Sequence, residues 1–250
     1  MVTRVLRRPG VFGRAPITGL GVQLALLVAL WSAGVCLGLV GWLAGLAYAV
    51  TTWIILGEAV RRSRTRAFGP ANGVTLVRAT LVGCVTAIVA QAVLEHERDT
   101  VLIVIAAVAL VLDAVDGKVA RRTGTASRLG ARFDMEVDAF LILVLSVFVA
   151  RSFGPWVLAI GAMRYAFVAA GWVLPWLRGP LSPTFTGKAV AVLQGVVLVV
   201  AAADVIPHAV ASVAVASALA CLTGSFGRDV GRLWRARHSE PVPEPERCLE

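Results

Sequence analysis

Five acidic side chains, Asp113, Asp116, Asp134, Glu136 and Asp138, stand at the edges of two long apolar runs. Inside a membrane an unpartnered ionised group there costs at least ~2.5 kcal/mol. Their spacing is informative. Asp113 and Asp116 are three apart and Asp134 and Asp138 are four apart, so on helices each pair shows two carboxylates on one face, while Glu136 points elsewhere. Four carboxylates converging from two helices repel one another, and cations are the simplest means of holding them ionised. Hard oxygen ligands suit Mg²⁺ or Mn²⁺, and four can hold two ions by sharing one carboxylate. A dimetal site ~3.5–4 Å across serves phosphoryl transfer, because it charges both the attacking and the leaving oxygen. The neighbouring residues agree with this chemistry. Gly117 and Ala120 clear space on the same helix face, Gly130 does so at the entry of the next helix, and Arg121, one turn beyond Gly117, can bridge a phosphate. Calcium cages usually draw on loops with Asn and backbone carbonyls, which fits this pattern poorly.

The elements that must carry these residues are membrane helices. The chain has 250 residues, 58% of them apolar and 16% charged, with a mean hydropathy of +0.81. Soluble domains average about 45–50% apolar and about 25% charged. A single water-soluble core is excluded. Spans of ~20 residues suit a ~30 Å hydrocarbon layer, and eight are drawn at about 17–37, 40–59, 72–94, 100–121, 131–151, 155–176, 187–204 and 207–227. The basic start (Arg4, Arg7, Arg8, Arg14) resembles a secretory leader, but the apolar run from Ile17 to Leu56 is too long and has no convincing cleavage site, so it reads as two helices.

Basic residues collect on one side of this topology. With the N-terminus inside, Arg61, Arg62, Arg64, Arg66, Lys118, Arg121, Arg122, Arg128, Arg132, Arg178, Lys188, Arg228, Arg232, Arg235 and Arg237 all fall inside, and only Arg98 and Arg151 fall outside. Both termini and the carboxylates are therefore expected on the cytoplasmic face. The excess of 24 Lys and Arg over 15 Asp and Glu sits in these short loops, which argues against nucleic acid as a partner. Cys36, Cys84, Cys221 and Cys248 have neither disulfide nor zinc spacing.

The expected organisation is all-α and polytopic. Residues 1–57 form a basic N-terminus and two accessory helices, 58–69 an arginine-rich interfacial helix or a plain inside loop, 70–234 a six-helix catalytic core, and 235–250 a disordered tail. Gly34, Gly38, Gly41 and Gly45 have a small-x3-small spacing that lets helices approach closely. Glycine is common in membrane helices anyway, so a dimer face is the less favoured reading, and a homodimer stays open.

The run Asp113-Ala-Val-Asp116-Gly117-Lys-Val-Ala120-Arg121, followed by Gly130, Asp134 and Asp138, resembles the signature of the CDP-alcohol phosphotransferase family, D-x2-D-G-x2-A-R-x8-G-x3-D-x3-D. All eight fixed positions match with every spacing intact. Pro70-Ala-Asn72-Gly-Val-Thr75-Leu-Val-Arg78 also resembles the entry to the family's first core helix, and the likeness extends from about Phe68 to Trp234. The resemblance implies an integral membrane enzyme, expected in a bacterial cell membrane, that moves a substituted phosphate from a CDP-linked donor, usually CDP-diacylglycerol, to a small alcohol and releases CMP. It implies that Asp113, Asp116 and Asp134 hold the two metal ions, that Asp138 completes the site and is the base for the acceptor hydroxyl, and that Gly117, Ala120, Arg121 and Gly130 lie against the CDP moiety.

Competing readings are weaker. Ion pairing with Arg121, Arg122, Arg128 or Arg132 would not require this spacing; a proton-coupled transporter would carry its carboxylates near the midplane; prenyltransferase motifs lack the Gly, Ala-Arg and Gly positions. The acceptor is less constrained. Arg164, mid-span with no acid near it on its own helix, and Lys188, with Gln194 two turns further, are candidates to bind an anionic acceptor such as glycerol 3-phosphate or another phosphorylated polyol. Phosphatidylglycerol as acceptor, giving cardiolipin, is the alternative.

Overall fold

The computed structural model describes residues 15–63, 70–95, 100–123, 128–178 and 185–238. Leu, Val, Ala and Ile fill these stretches, and in lipid such segments must satisfy their backbone groups internally, which selects helices. Eight α-helices result: α1 (Ala15–Ser32), α2 (Leu39–Ser63), α3 (Pro70–Glu95), α4 (Thr100–Thr123), α5 (Arg128–Phe153), α6 (Leu158–Val173), α7 (Phe185–Ala203) and α8 (His208–His238). Short 3₁₀ turns at Pro155–Val157 and Pro175–Arg178 flank α6, and the described residues contain no strand. Each expected span has its helix. Four stretches, Leu39–Glu58, Thr75–Glu95, Pro155–Val173 and His208–Arg235, are long and apolar enough to cross a membrane, and Gly19–Ser32, Thr100–Ala114 and Ala189–Ala203 are shorter apolar ones.

Burial separates a central helix from lipid-facing ones. In α3, 67% of the spanning window is buried inside the protein, against 28% in α2 and 22% in α6 and α8. α3 packs against α1, α2, α4 and α5, while α7 packs on α4, α5 and α8. Val82, Val85 and Ile88 of α3 share one core with Leu102 and Ala106 of α4, Leu141 and Leu145 of α5, and Leu198 of α7. Large apolar side chains such as Leu39, Ile54, Ile55, Val104, Val111, Trp172 and Val173 face outward instead. So much exposed apolar surface suits a hydrocarbon solvent and not water.

The two N-terminal helices are seated on α3 by glycine and glutamine. At the end of α1 the Val35 and Gly34 N–H groups donate to the Leu30 and Trp31 carbonyls (both 3.1 Å), with Gly34 at φ +92°. This closure needs a left-handed residue, which glycine adopts without a Cβ penalty. The chain then returns as α2, whose Gly41 N–H donates to Gln91 Oε1 of α3 (3.2 Å). A Cβ on Gly41 would lie 2.9 Å from the Ala87 carbonyl oxygen, and one on Gly45 would lie 3.0 Å from the Ala87 Cβ. Gln23 of α1 is buried against Gly83 of α3 in the same manner. The glycine spacing therefore serves close packing within the chain.

Two boundaries differ in detail from the expectation. α2 runs unbroken to Ser63, so residues 58–63 prolong it, while 64–69 lie outside the described residues. α8 runs to His238, which carries the first residues of the expected tail in helix, and 239–250 lie outside the described residues.

Candidate active site where α3, α4 and α5 meet

The second half of α4 and the first half of α5 carry the acidic signature, and α3 draws them together. Asp113 belongs to α4, and Asp134 and Asp138 to α5. The i, i+4 spacing sets Asp134 above Asp138 on one face of α5. That face meets Arg78 of α3, whose guanidinium lies at the centre of the group. Its Nη1 donates to Asp113 Oδ1 (2.6 Å). Its Nη2 donates to Asp134 Oδ1 (2.6 Å) and to the Asp134 carbonyl oxygen (3.3 Å), and is ion-paired with Asp138 Oδ1 at 2.7 Å.

The burial of the partners is unequal. The Arg78 side chain is 0% exposed, whereas those of Asp113, Asp134 and Asp138 are 25%, 31% and 31% exposed. The cation thus forms the floor of the site and the carboxylates form its open wall. A planar fork with several donors suits this task better than an ammonium, because it reaches acids on two helices at once. With the aspartates ionised, three negative charges against one positive leave the group two short of neutrality, the charge of one divalent cation.

One oxygen from each of Asp113, Asp134 and Asp138 lies within 4.8 Å of the others. Oxygen ligands of Mg²⁺ lie at ~2.0–2.1 Å, so two of them across the ion are ~4.2 Å apart. A spread within 4.8 Å is compatible with a hard divalent cation. Asp116, Gly117, Ala120 and Arg121 continue α4, which runs to Thr123, but their side chains lie outside the described residues. Gly130 is in the first turn of α5, half-buried.

Glu136 leaves this group, as its helix position requires. Its Oε1 receives a hydrogen bond from Arg164 Nη2 of α6 (2.5 Å), and Arg164 Nη1 lies 3.1 Å from Met135 Sδ. The acid that compensates the mid-span arginine thus comes from the neighbouring helix, so the cost of Arg164 alone no longer demands an anionic substrate. Gln194 is not brought to an acceptor site: it is 1% exposed, and its Nε2 donates to the Ala218 carbonyl of α8 (2.8 Å). It clamps α7 to α8. Lys188 lies in the first turns of α7, its side chain outside the described residues.

Arg78 is the site residue that sequence reasoning passed over. It stands within the segment resembling the first core helix, far in sequence from the aspartates it pairs with. Arg78 lies 35 residues from Asp113 and 56 from Asp134. The available signal was the one that singled out Arg164, a guanidinium within an otherwise uncharged span.

Comparison with protein families places this geometry in context. The family model for CDP-alcohol phosphatidyltransferase matches residues 68–223, from the approach to α3 into α8. Neither a comparison with curated proteins nor one with solved structures gives a match. The match covers more than half of the chain and includes every residue of the acidic signature, and the chain belongs to the CDP-alcohol phosphatidyltransferase family. It is an integral membrane transferase of substituted phosphate groups, acting in phospholipid biosynthesis. The proton-relay and prenyltransferase readings are set aside. The match begins at residue 68, so α1 and α2 lie outside the matched residues.

Proposed function

We propose that this enzyme transfers the phosphatidyl group of CDP-diacylglycerol to a small alcohol and releases CMP. The observation that supports this most directly is the convergence of Asp113, Asp134 and Asp138, partly exposed and within 4.8 Å, in the segments that carry the family signature. In this reading Asp113, Asp116, Asp134 and Asp138 hold two Mg²⁺ or Mn²⁺ ions. Bound there, the metals would offset charge on the attacking and leaving oxygens. Gly117, Ala120 and Gly130 leave room for the nucleotide, and Arg121 binds its diphosphate. The acceptor hydroxyl oxygen attacks the phosphatidyl phosphorus, its proton passes to Asp138, and the bond from phosphorus to the CMP oxygen breaks, with CMP taking the electron pair.

The acceptor in this proposal is a phosphorylated polyol such as glycerol 3-phosphate, bound by Lys188 and Arg164. Arg164 is 29% exposed beside the site helix α5 and would be shared between the acceptor phosphate and Glu136. Phosphatidylglycerol is the alternative acceptor. In this reading the membrane is bacterial and the site faces the cytoplasm with both termini inside, the orientation being supported by the basic residues of the inner loops.

CMP release from CDP-diacylglycerol by the purified protein tests the reading. Activity should require Mg²⁺ or Mn²⁺. Asn at any of Asp113, Asp116, Asp134 or Asp138 should reduce it at least as far as the ~10–100-fold loss typical of residues one shell beyond a metal. Undiminished turnover in chelator, or in Asp134→Asn, overturns it. Running the assay with glycerol 3-phosphate, inositol phosphate, inositol, serine and phosphatidylglycerol identifies the acceptor.

A further inference from the structure

Three carboxylates crowded at one point need a counter-charge at all times, including before any metal arrives. Arg78 supplies it from the protein interior. The side chain is fully buried on a face of α3 shared with Thr75, Ala79 and Val82, all buried as well. Leaving the aspartates would strand a guanidinium in an apolar core, since no part of the side chain reaches solvent. A mobile plug that vacates the site when metal binds is therefore a poor description. A carboxylate has two oxygens, so one that is ion-paired through Oδ1 can still serve as a ligand.

We propose that Arg78 is a positioning residue that remains in place through the catalytic cycle, a permanent internal cation that clasps Asp113, Asp134 and Asp138 and presents them already assembled. This rests on reading the group as the metal site, and adds that the site is preformed without metal. Because α3 touches both α4 and α5, the same clasp ties the three helices at this end of the bundle. Metal ions then complete the chemistry, while the fold does not depend on them.

Two substitutions in the full-length protein, purified in nanodiscs, separate geometry from charge. Arg78→Lys keeps the charge but loses the fork. It should weaken Mn²⁺ binding, read from the electron paramagnetic resonance of free Mn²⁺, by about 10–100-fold, and should lower kcat without raising the KM for CDP-diacylglycerol. Arg78→Gln removes the charge. Its Tm in chelator should fall by more than about 5 °C, and Mn²⁺ should raise that Tm much more than it raises the wild-type Tm. Adding Asp134→Asn to Arg78→Gln should recover part of the loss, because one repelling charge is gone. Mn²⁺ binding in Arg78→Lys that is equal to or tighter than wild type overturns the proposal, as does an unchanged metal-free Tm in Arg78→Gln. Where Arg78→Gln alone does not fold, the double variant and Arg78→Lys decide. Wild-type protein that binds Mn²⁺ through the clasp but releases no CMP refutes the catalytic reading and leaves this one standing; active protein whose Mn²⁺ binding ignores Arg78 does the reverse.

Discussion

Met135, Glu136 and the two aspartates of α5 occupy one and a half turns yet meet different neighbours. Asp134 and Asp138 turn to Arg78 of α3, and Glu136 turns to Arg164 of α6. One short stretch of helix thus serves two cations with opposite surroundings, one sealed and one 29% exposed. Only the second is available to a substrate. Replacing Arg164 by Ala should therefore raise the KM for a phosphorylated acceptor far more than that for CDP-diacylglycerol, while Glu136→Gln should leave the metal requirement unchanged. Steady-state CMP release with each substrate varied in turn checks both, and a metal requirement altered by Glu136→Gln would place that residue within the site. The aspartates were legible in the sequence because i, i+3 and i, i+4 spacing is local and needs no knowledge of the fold. The cations that pair with them were not, since an ion pair spanning 56 residues depends on which helices touch. Gln194 was misjudged for the same reason: its carbonyl partner at Ala218 lies on another helix.

At the scale of elements, the eight apolar runs predicted the eight helices, because length and hydropathy alone decide a spanning segment. Their packing order was less accessible. Lipid is as apolar as leucine, so the inward and outward faces of a membrane helix are not marked by polarity. α3 is central through small residues and buried amides, and α1 and α2 are held to it by Gln23, Gln91 and the glycines opposite. The closest approach to backbone in the α2–α3 seam is at Gly41, where a Cβ would meet the Ala87 carbonyl at 2.9 Å. Backbone gives way less readily than a side-chain tip. Gly41→Val should overpack this seam at a cost of about 1–3 kcal/mol, lowering Tm in detergent by several degrees, whereas Gly57→Val, where a Cβ would have open space, should not. Equal Tm values for the two variants would show that the α2–α3 seam is loose.

For the whole molecule, the distribution of Arg and Lys predicts an orientation that can be tested on intact cells. In a background lacking the native cysteines, a single Cys at Thr100 should react with an impermeant thiol reagent and one at Ser127 should not. Labelling at Ser127 alone would invert the topology. Asp113 sits well inside α4. It lies ~20 Å along the helix from Thr100, at 1.5 Å per residue, and a hydrocarbon layer is ~30 Å thick. On an upright helix with Thr100 at one boundary, the carboxylates, 25–31% exposed, would lie ~10 Å short of the other. A lipid whose diphosphate is to be cleaved at that depth need not be pulled upward out of its leaflet. Each methylene withdrawn would cost ~0.8 kcal/mol; carboxylates at that depth would let the head reach them while the acyl chains stay submerged, keeping the work of extraction out of the barrier.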